Sequence, residues 1–238
     1  MMAAIRSILF YLYLVLISML ASMMLVVTAP VVKRHYRFVF VRYCNLSIIY
    51  AMRWLCGIRF QIEGVEYLDR QQAMVVACNH QGDWETFYLL TMGIPVSTVL
   101  KKELLRIPFF GWALAMLNPI AIDRKQKTNA LKQLAEQGCE RLRNGISVLI
   151  FPEGTRTMPG PLGPCTKGAA MLANKAKVPI LPIVQNSGHL SPPKSWVKRS
   201  GLVRVRIGAP IVGDSSKQLH AEMVTWLEAN LAEIDLPS

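Results

Sequence analysis

The sequence predicts an α/β domain with a mostly parallel central sheet flanked by helices, preceded by hydrophobic helices that anchor it to a membrane. Three observations lead there. Short β-prone runs alternate with helix-period segments from residue 57 onward, the pattern of strands joined by helical crossovers. No repeat and no Pro/Gly-rich linker divides that stretch, and the chain opens instead on an apolar run long enough to span a bilayer. With 238 residues and 52% hydrophobic side chains there is material for one sizeable core and little length for a second. The expected organisation is a helical anchoring segment over 1–56 and an α/β domain over 57–238.

The amino terminus comes first. Ser7 to Val32 is free of charge and rich in Leu, Ile, Val and Met, and as a helix it would cross a hydrocarbon core of ~30 Å. A secretory signal is the alternative, but the run is too long for an h-region and shows no small-x-small cleavage site before Pro30. Lys33, Arg34, Arg37 and Arg42 follow the run and only Arg6 precedes it, so the positive-inside rule puts the carboxyl side in the cytoplasm. A membrane with the domain on its cytoplasmic face is the expected location. Residues 36–56 are again hydrophobic, with Tyr36, Tyr43, Tyr50 and Trp54 at near-helical spacing among Arg37, Arg42 and Arg53. Such a helix suits the headgroup region, packing against the domain, or a two-helix anchor that enters one leaflet.

Strands are expected at Ile58–Ile62, Met74–Cys78, Ser97–Leu100, Ile120–Ile122, Ser147–Phe151, Ile180–Val184 and Val203–Ile207. Lys127–Asn144 places Leu131, Leu134, Gly138 and Leu142 on one face and stops at Gly145, as a helix with a glycine cap does. A last helix, capped by Asp214, turns Leu219, Met223, Trp226, Leu227 and Leu231 inward. In such sheets ligands sit beyond the carboxyl ends of strands, so the chemistry belongs in the loops after them.

Charge and cysteine usage narrow the partners. The formal charge is +12, and 26 of the 27 basic residues, with all 15 acidic ones, lie after residue 32. The domain itself is therefore basic, which favours phospholipid headgroups, phosphorylated substrates, acidic carrier proteins or nucleic acid. The five cysteines are scattered with no Cys-x-x-Cys pair, so neither a disulfide framework nor a zinc site is expected, and a reducing setting fits. Nucleic acid is set aside because no reading module appears and an anchor has no role in it. There is no G-x-G-x-x-G, and Gly168 is followed by Ala169, so no nucleotide loop exists. Gly145-Ile146-Ser147 continues as Val148-Leu149, so the G-x-S-x-G elbow of an acyl-enzyme hydrolase is missing too.

Four segments carry chemistry. After the run Met74–Cys78 comes Asn79-His80-Gln81-Gly82-Asp83-Trp84-Glu85. A histidine at a strand end, with an ordinary pKa of ~6.5, can accept a proton at neutral pH, and a carboxylate should fix its tautomer. Glu85 reaches it if the chain turns at Gly82 and Glu85 falls in the first turn of the next helix; Asp83 is the rival, and a surface histidine in a polar loop is the bland alternative. The second is Phe151-Pro152-Glu153-Gly154-Thr155-Arg156. There Gly154 permits a tight turn with exposed amides, Thr155 adds a hydroxyl, and Arg156 offers a planar fork for phosphate. The third ends in Asp123-Arg124 and lies downstream of Lys101-Lys102-Glu103. The fourth, Val178-Pro179-Ile180-Leu181-Pro182-Ile183, reads as an edge or terminal strand because of its prolines.

In order, Asn79 to Glu85, Gly111 to Arg124, Phe151 to Arg156 and Val178 to Ile183 resemble the four blocks of the glycerolipid acyltransferase family, the 1-acylglycerol-3-phosphate acyltransferases of bacterial type. The likeness covers roughly residues 57–210. It implies a glycerol-3-phosphate acyltransferase-like fold and a membrane-bound enzyme that moves a fatty acyl group from acyl-CoA or acyl carrier protein to lysophosphatidate, forming phosphatidate with no cofactor or metal. By that likeness His80 is the base; Lys101, Arg124 and Arg156 attend the acceptor phosphate; and Glu153 helps place the acceptor. The family's acid five residues after the histidine is Asp, whereas this chain has Glu85. Another lysophospholipid or glycerol-3-phosphate as acceptor remains open, as does a non-catalytic lipid-binding protein.

Overall fold

In the computed structural model, which describes residues 1–69, 71–108, 110–123 and 127–235, all seven expected strands form. They are β1 (Ile58–Glu63), β2 (Val75–Cys78), β3 (Val96–Lys101), β4 (Ile120–Ile122), β5 (Ser147–Ile150), β6 (Ile180–Gln185) and β7 (Gly201–Ile207). They make one sheet in the order β1-β7-β6-β2-β5-β3-β4. Every neighbouring pair is parallel except β6 and β7.

Side-chain alternation explains why the strands read as unbroken apolar runs. Val76 and Cys78 of β2 point into one core, with Leu149, Leu181, Ile183 and Val203, while Val75 and Ala77 point into the other, with Val148, Ile150 and Ile180. Both faces are covered, so both sets must be apolar. The first face is covered by α1 (Met2–Thr28), α2 (Arg34–Cys56) and α3 (Trp84–Leu89), through Phe10, Ile49, Met52 and Trp84. The second is covered by α5 (Lys127–Arg143), α6 (Gly168–Ala176) and α7 (Ser216–Ile234), through Leu134, Leu172, Met223 and Leu227. A short α4 (Phe110–Ala115) packs on α1.

Three local expectations are corrected. The proline-rich strand β6 is interior, between β2 and β7. Pro182 fits there because its carbonyl accepts from Gly208 N on the β7 side, just past the β6–β7 ladder that begins at Ile183. Its missing N–H faces that same side, where the ladder has ended. The last helix is capped by Ser215, whose hydroxyl accepts from Gln218 N at 3.2 Å, rather than by Asp214. On α5, Leu134 and Leu142 are buried as expected but Leu131 is largely exposed, and Gly145 takes the left-handed conformation at φ 72° beyond the helix end.

The two amino-terminal helices form an antiparallel hairpin: Cys56 Sγ reaches Arg6 O, and Phe10 packs with Ile49 and Met52. Its turn is fastened by Arg37, whose guanidinium donates to Val32 O at 3.0 Å, to Ala29 O, and to Met116 O at 3.4 Å just beyond α4. Arg42 donates to Thr91 O at 3.1 Å. The hairpin therefore lies along the domain instead of projecting from it. Its outer side is apolar, with Leu12, Val15, Leu16, Met19 and Met23 of α1 exposed, and Tyr36, Tyr43, Tyr50 and Trp54 of α2 exposed beside them.

Candidate active site

His80 follows β2, the strand at the middle of the sheet, and its backbone is clamped from both sides. Its N–H donates to Glu153 Oε2 at 2.7 Å, and its carbonyl accepts from Thr157 N at 2.8 Å. The amide of Asn79 prolongs the ladder past the end of β2: its Nδ2 donates to Gln185 O at 2.8 Å and its Oδ1 accepts from Gln185 N at 2.9 Å. The imidazole is stacked on Phe151, with centroids 4.0 Å apart and planes 14° from parallel. A ring held by its backbone, one flat face and one nitrogen has little freedom left.

That nitrogen is Nδ1, which donates to Glu85 Oε1 at 2.9 Å. Glu85 stands in the first turn of α3 and is fully buried. The same Oε1 accepts from the amides of Gln81 at 2.9 Å and Gly82 at 2.7 Å, and Oε2 accepts from the Ser187 hydroxyl at 2.6 Å. Burial pushes this carboxyl up, but the His80 hydrogen bond and charge, the Ser187 hydroxyl and the Gly82 amide together outweigh it and hold it below the usual carboxylate range. An ionised carboxylate only accepts, so Nδ1 carries a hydrogen, and in the neutral imidazole the lone pair is on Nε2, turned to a ligand. The turn at Gly82 is fixed by close packing: a Cβ there would lie 2.8 Å from Ser187 Oγ and 2.9 Å from Ser191 O.

Asp83, the rival partner, points elsewhere. Its carboxylate takes the Lys198 ammonium and the Ser191 hydroxyl. The choice between the two acids thus goes to Glu85.

The Phe151–Arg156 segment turns at Gly154, at φ 71°, a conformation that favours glycine although a Cβ would meet nothing. Two expectations shift here. Gly154 N is used within the turn, donating to Phe151 O at 2.9 Å, so it is not an anion-cradling amide. Glu153 Oε1 accepts from Thr157 Oγ1 at 2.9 Å and Gly163 N at 3.0 Å, with Oε2 on His80 N. Its carboxylate, with both oxygens bonded to protein donors, braces the loop against His80. Thr155 and Arg156 are exposed at the mouth. Lys101 is exposed at the end of β3, two strands from β2 and so roughly 10 Å to the side by sheet spacing. Arg124 lies outside the described residues.

Ser187 and Lys198 were missed by the sequence reading, whose last chemical motif ended at Ile183. The signal was available in Gln185-Asn186-Ser187, a polar run ending an apolar strand next to β2. Replacing Ser187 by alanine is expected to raise the pKa of Glu85 by removing a donor to its charged form. The sign follows from linkage. A carboxyl depressed on folding contributes stability above its unfolded pKa of ~4.3 and loses it as pH falls through the folded value. In Ser187→Ala the folded value moves up toward the unfolded one, so less stability is left to lose: melting curves will show the variant below wild type at pH 6 and the two converging toward pH 3.

Thiol chemistry is not available here. Cys78, two residues before His80, is fully buried, and burial together with Glu85 and Glu153 pushes its thiol well above the ordinary value. Cys165 is likewise pushed up to about 11, mainly by burial. Cys78 is thus buried and held neutral beside the site, while His80 presents Nε2 to a bound hydroxyl.

Comparisons with known proteins agree with this geometry. A family model described as Acyltransferase matches residues 59–186, from β1 to just past β6. A 1-acyl-sn-glycerol-3-phosphate acyltransferase of Pseudomonas aeruginosa is 41% identical over 97% of this chain and 92% of its own length. One of Saccharomyces cerevisiae with the same description is 32% identical over 75% of this chain and 63% of its own. The crystal structure of the 1-acyl-sn-glycerophosphate acyltransferase of Thermotoga maritima superposes with a TM-score of 0.83 over 99% of this chain and 97% of that one. At 22% identity it speaks to the fold. With a family model across more than half of its length and a relative of such identity along nearly all of it, the chain belongs to the acyltransferase family.

Proposed function

We propose that this chain is a 1-acylglycerol-3-phosphate O-acyltransferase, which acylates the sn-2 hydroxyl of lysophosphatidate to give phosphatidate. The observation that carries the chemistry is the 2.9 Å contact between His80 Nδ1 and the buried Glu85 carboxylate, which leaves Nε2 as a base. The acceptor's identity is supported by the relative that shares 41% of its residues.

In the proposed step the acceptor hydroxyl gives its proton to His80 Nε2 while its oxygen bonds to the thioester carbonyl carbon of acyl-CoA or an acyl carrier protein. The tetrahedral intermediate collapses, the carbon–sulfur bond breaks, and the leaving thiolate takes the proton back from the imidazolium. Glu85 steadies the imidazolium in between. Arg156 holds the acceptor phosphate, with Lys101 and Arg124 as the family likeness has them. Glu153 positions His80 by bracing its backbone. No cofactor is called for, since both substrates bring their own reactive groups.

The domain works at a membrane surface. α1, 27 residues, is long and apolar enough to cross a membrane by length and composition. Yet it lies packed along the domain, and α2 beside it exposes a row of tyrosines and Trp54. This favours seating the hairpin in one leaflet over a crossing, with aromatic rings and Lys33, Arg34 and Arg53 at headgroup level. In a bacterium that leaflet is the cytoplasmic one of the inner membrane, where lysophosphatidate and the thioester donors meet.

The test offers purified protein, in lipid vesicles, a panel of lysophosphatidate, glycerol-3-phosphate and other lysophospholipids with both thioester donors, and identifies products by mass. Phosphatidate as the main product is expected. Acylation of glycerol-3-phosphate alone, or no transfer with any pair, overturns the reading.

A further inference from the structure

β3 is parallel to β2 through β5, so it ends at Lys101 on the catalytic edge of the sheet. The chain then makes a short 3₁₀ turn, Lys102–Arg106, before α4 returns against α1. Turn and helix form one rigid ridge. Gly111 N donates to Ile107 O at 2.7 Å, and a Cβ on Gly111 would lie 2.5 Å from Leu105 O and 2.6 Å from Leu104 O, so the helix start is pressed directly onto the turn. The side chains left outside are of two kinds. Leu104, Ile107 and Trp112 are 36%, 44% and 48% exposed. Lys102 and Arg106 are exposed with them, and among the described residues neither has a carboxylate within ion-pair distance. Glu103 is the one acid in the stretch, so from Lys101 to Arg106 three cations stand against one anion. The far end of α4 is fastened to the hairpin turn by Arg37 on Met116 O, and the ridge thus borders the helix whose outer side carries Leu16, Met19 and Met23.

We propose that this ridge is a second membrane contact, separate from the hairpin, and that Lys102 and Arg106 bind anionic phospholipid. The inference rests on the membrane-surface reading given above and deepens it by naming the lipid class that the domain prefers. Aliphatic side chains, an indole and cations without counter-ions on one rigid surface match the headgroup region, where the apolar parts sink to the acyl boundary and the charged heads sit among phosphates. The same cations would suit an acidic carrier protein. The ridge's place against the outer side of α1 favours the bilayer, because a carrier seated there would have to displace it. The hairpin supplies most of the apolar contact, which is indifferent to headgroup charge, whereas the ridge adds charge at the catalytic edge. Each Lys or Arg close to an anionic leaflet is worth about fivefold in binding, and the effect fades with salt. Lys101, one residue earlier, stays with the acceptor, so an anionic surface that takes Lys102 and Arg106 also brings the rim of the site down to the headgroups.

The experiment measures binding of the purified full chain to vesicles by flotation, on phosphatidylcholine alone and on phosphatidylcholine with phosphatidylglycerol, at low and at high salt. Wild type is expected to bind the anionic vesicles more tightly. Lys102→Gln combined with Arg106→Gln should weaken that binding about tenfold or more at low salt, with the neutral vesicles bound within about twofold of wild type. Lys102→Arg, which keeps the charge, should bind as wild type does. Lys175→Gln combined with Lys217→Gln, on the helices that cover the opposite face, makes the same change in net charge and should leave both vesicle types within about twofold. Turnover of lysophosphatidate in neutral detergent micelles should equal that of wild type in each variant. Undiminished binding in the Lys102 and Arg106 double variant, an equal loss in the two double variants, or lost turnover in micelles overturns the contact and leaves the enzyme reading intact. So does unchanged flotation with a raised KM for the acyl carrier protein donor alone, which would give the ridge to the carrier. A wild type that floats with neither kind of vesicle overturns the membrane reading as well.

Discussion

His80→Ala is expected to lower kcat for acyl transfer by about 10²–10⁴, the usual worth of a positioned general base, with KM for lysophosphatidate little changed. The reason is geometric. The imidazole touches the acceptor only through Nε2, and the phosphate is held elsewhere, so its removal takes away an interaction made in the transition state and not in ground-state binding. Folding should survive. The side chain is partly exposed, and the hydrogen bonds that organise the loop come from the His80 backbone, which alanine keeps. Steady-state kinetics with a thermal melt of the same preparation checks both halves. A variant that transfers acyl groups at the wild-type rate removes His80 from the mechanism.

Glu85→Gln should have an effect on kcat of similar size, about 10²–10⁴, with a modest one on stability. The amide fills the same volume, and its oxygen can still accept from the Gln81 and Gly82 amides and from Nδ1, while the NH₂ donates to Ser187, whose hydroxyl turns to accept. What is lost is the negative charge that makes Nε2 a better base and stabilises the imidazolium. Asp83→Asn gives the opposite pattern. It deprives the buried Lys198 of its counter-charge, so the melting temperature falls clearly, while kcat stays within about tenfold of wild type. Should Asp83→Asn abolish turnover and Glu85→Gln leave it intact, the orienting acid has been misassigned.

These two carboxylates also mark where the sequence stops being sufficient. Spacing alone allowed either acid to reach His80, because the outcome depends on how the chain turns at Gly82. That turn is set by Ser187 and Ser191, more than a hundred residues away and brought in by β6 lying beside β2. The same crossover explains why the partners of Ser187 and Lys198 were invisible: the polar run Gln185–Ser187 marks a loop, but only strand order, a tertiary fact, brings Ser187 to Glu85 and Lys198 to Asp83. Glu153 is a similar case. Its type and position after β5 were readable, but its role in bracing His80 depends on β5 being the other neighbour of β2.

By itself the sequence determined every strand, the alternation that makes the sheet mostly parallel, and the two hydrophobic helices before it. Each of these follows from periodicity and from the turn and cap preferences of nearby residues, which act over a few positions along the chain. Only the tertiary structure decided that β6 is interior despite its prolines, that the hairpin lies flat on the domain, and which acid holds His80. All of them are set by contacts between segments distant in sequence, where packing of the two cores fixes strand order and with it which charges meet.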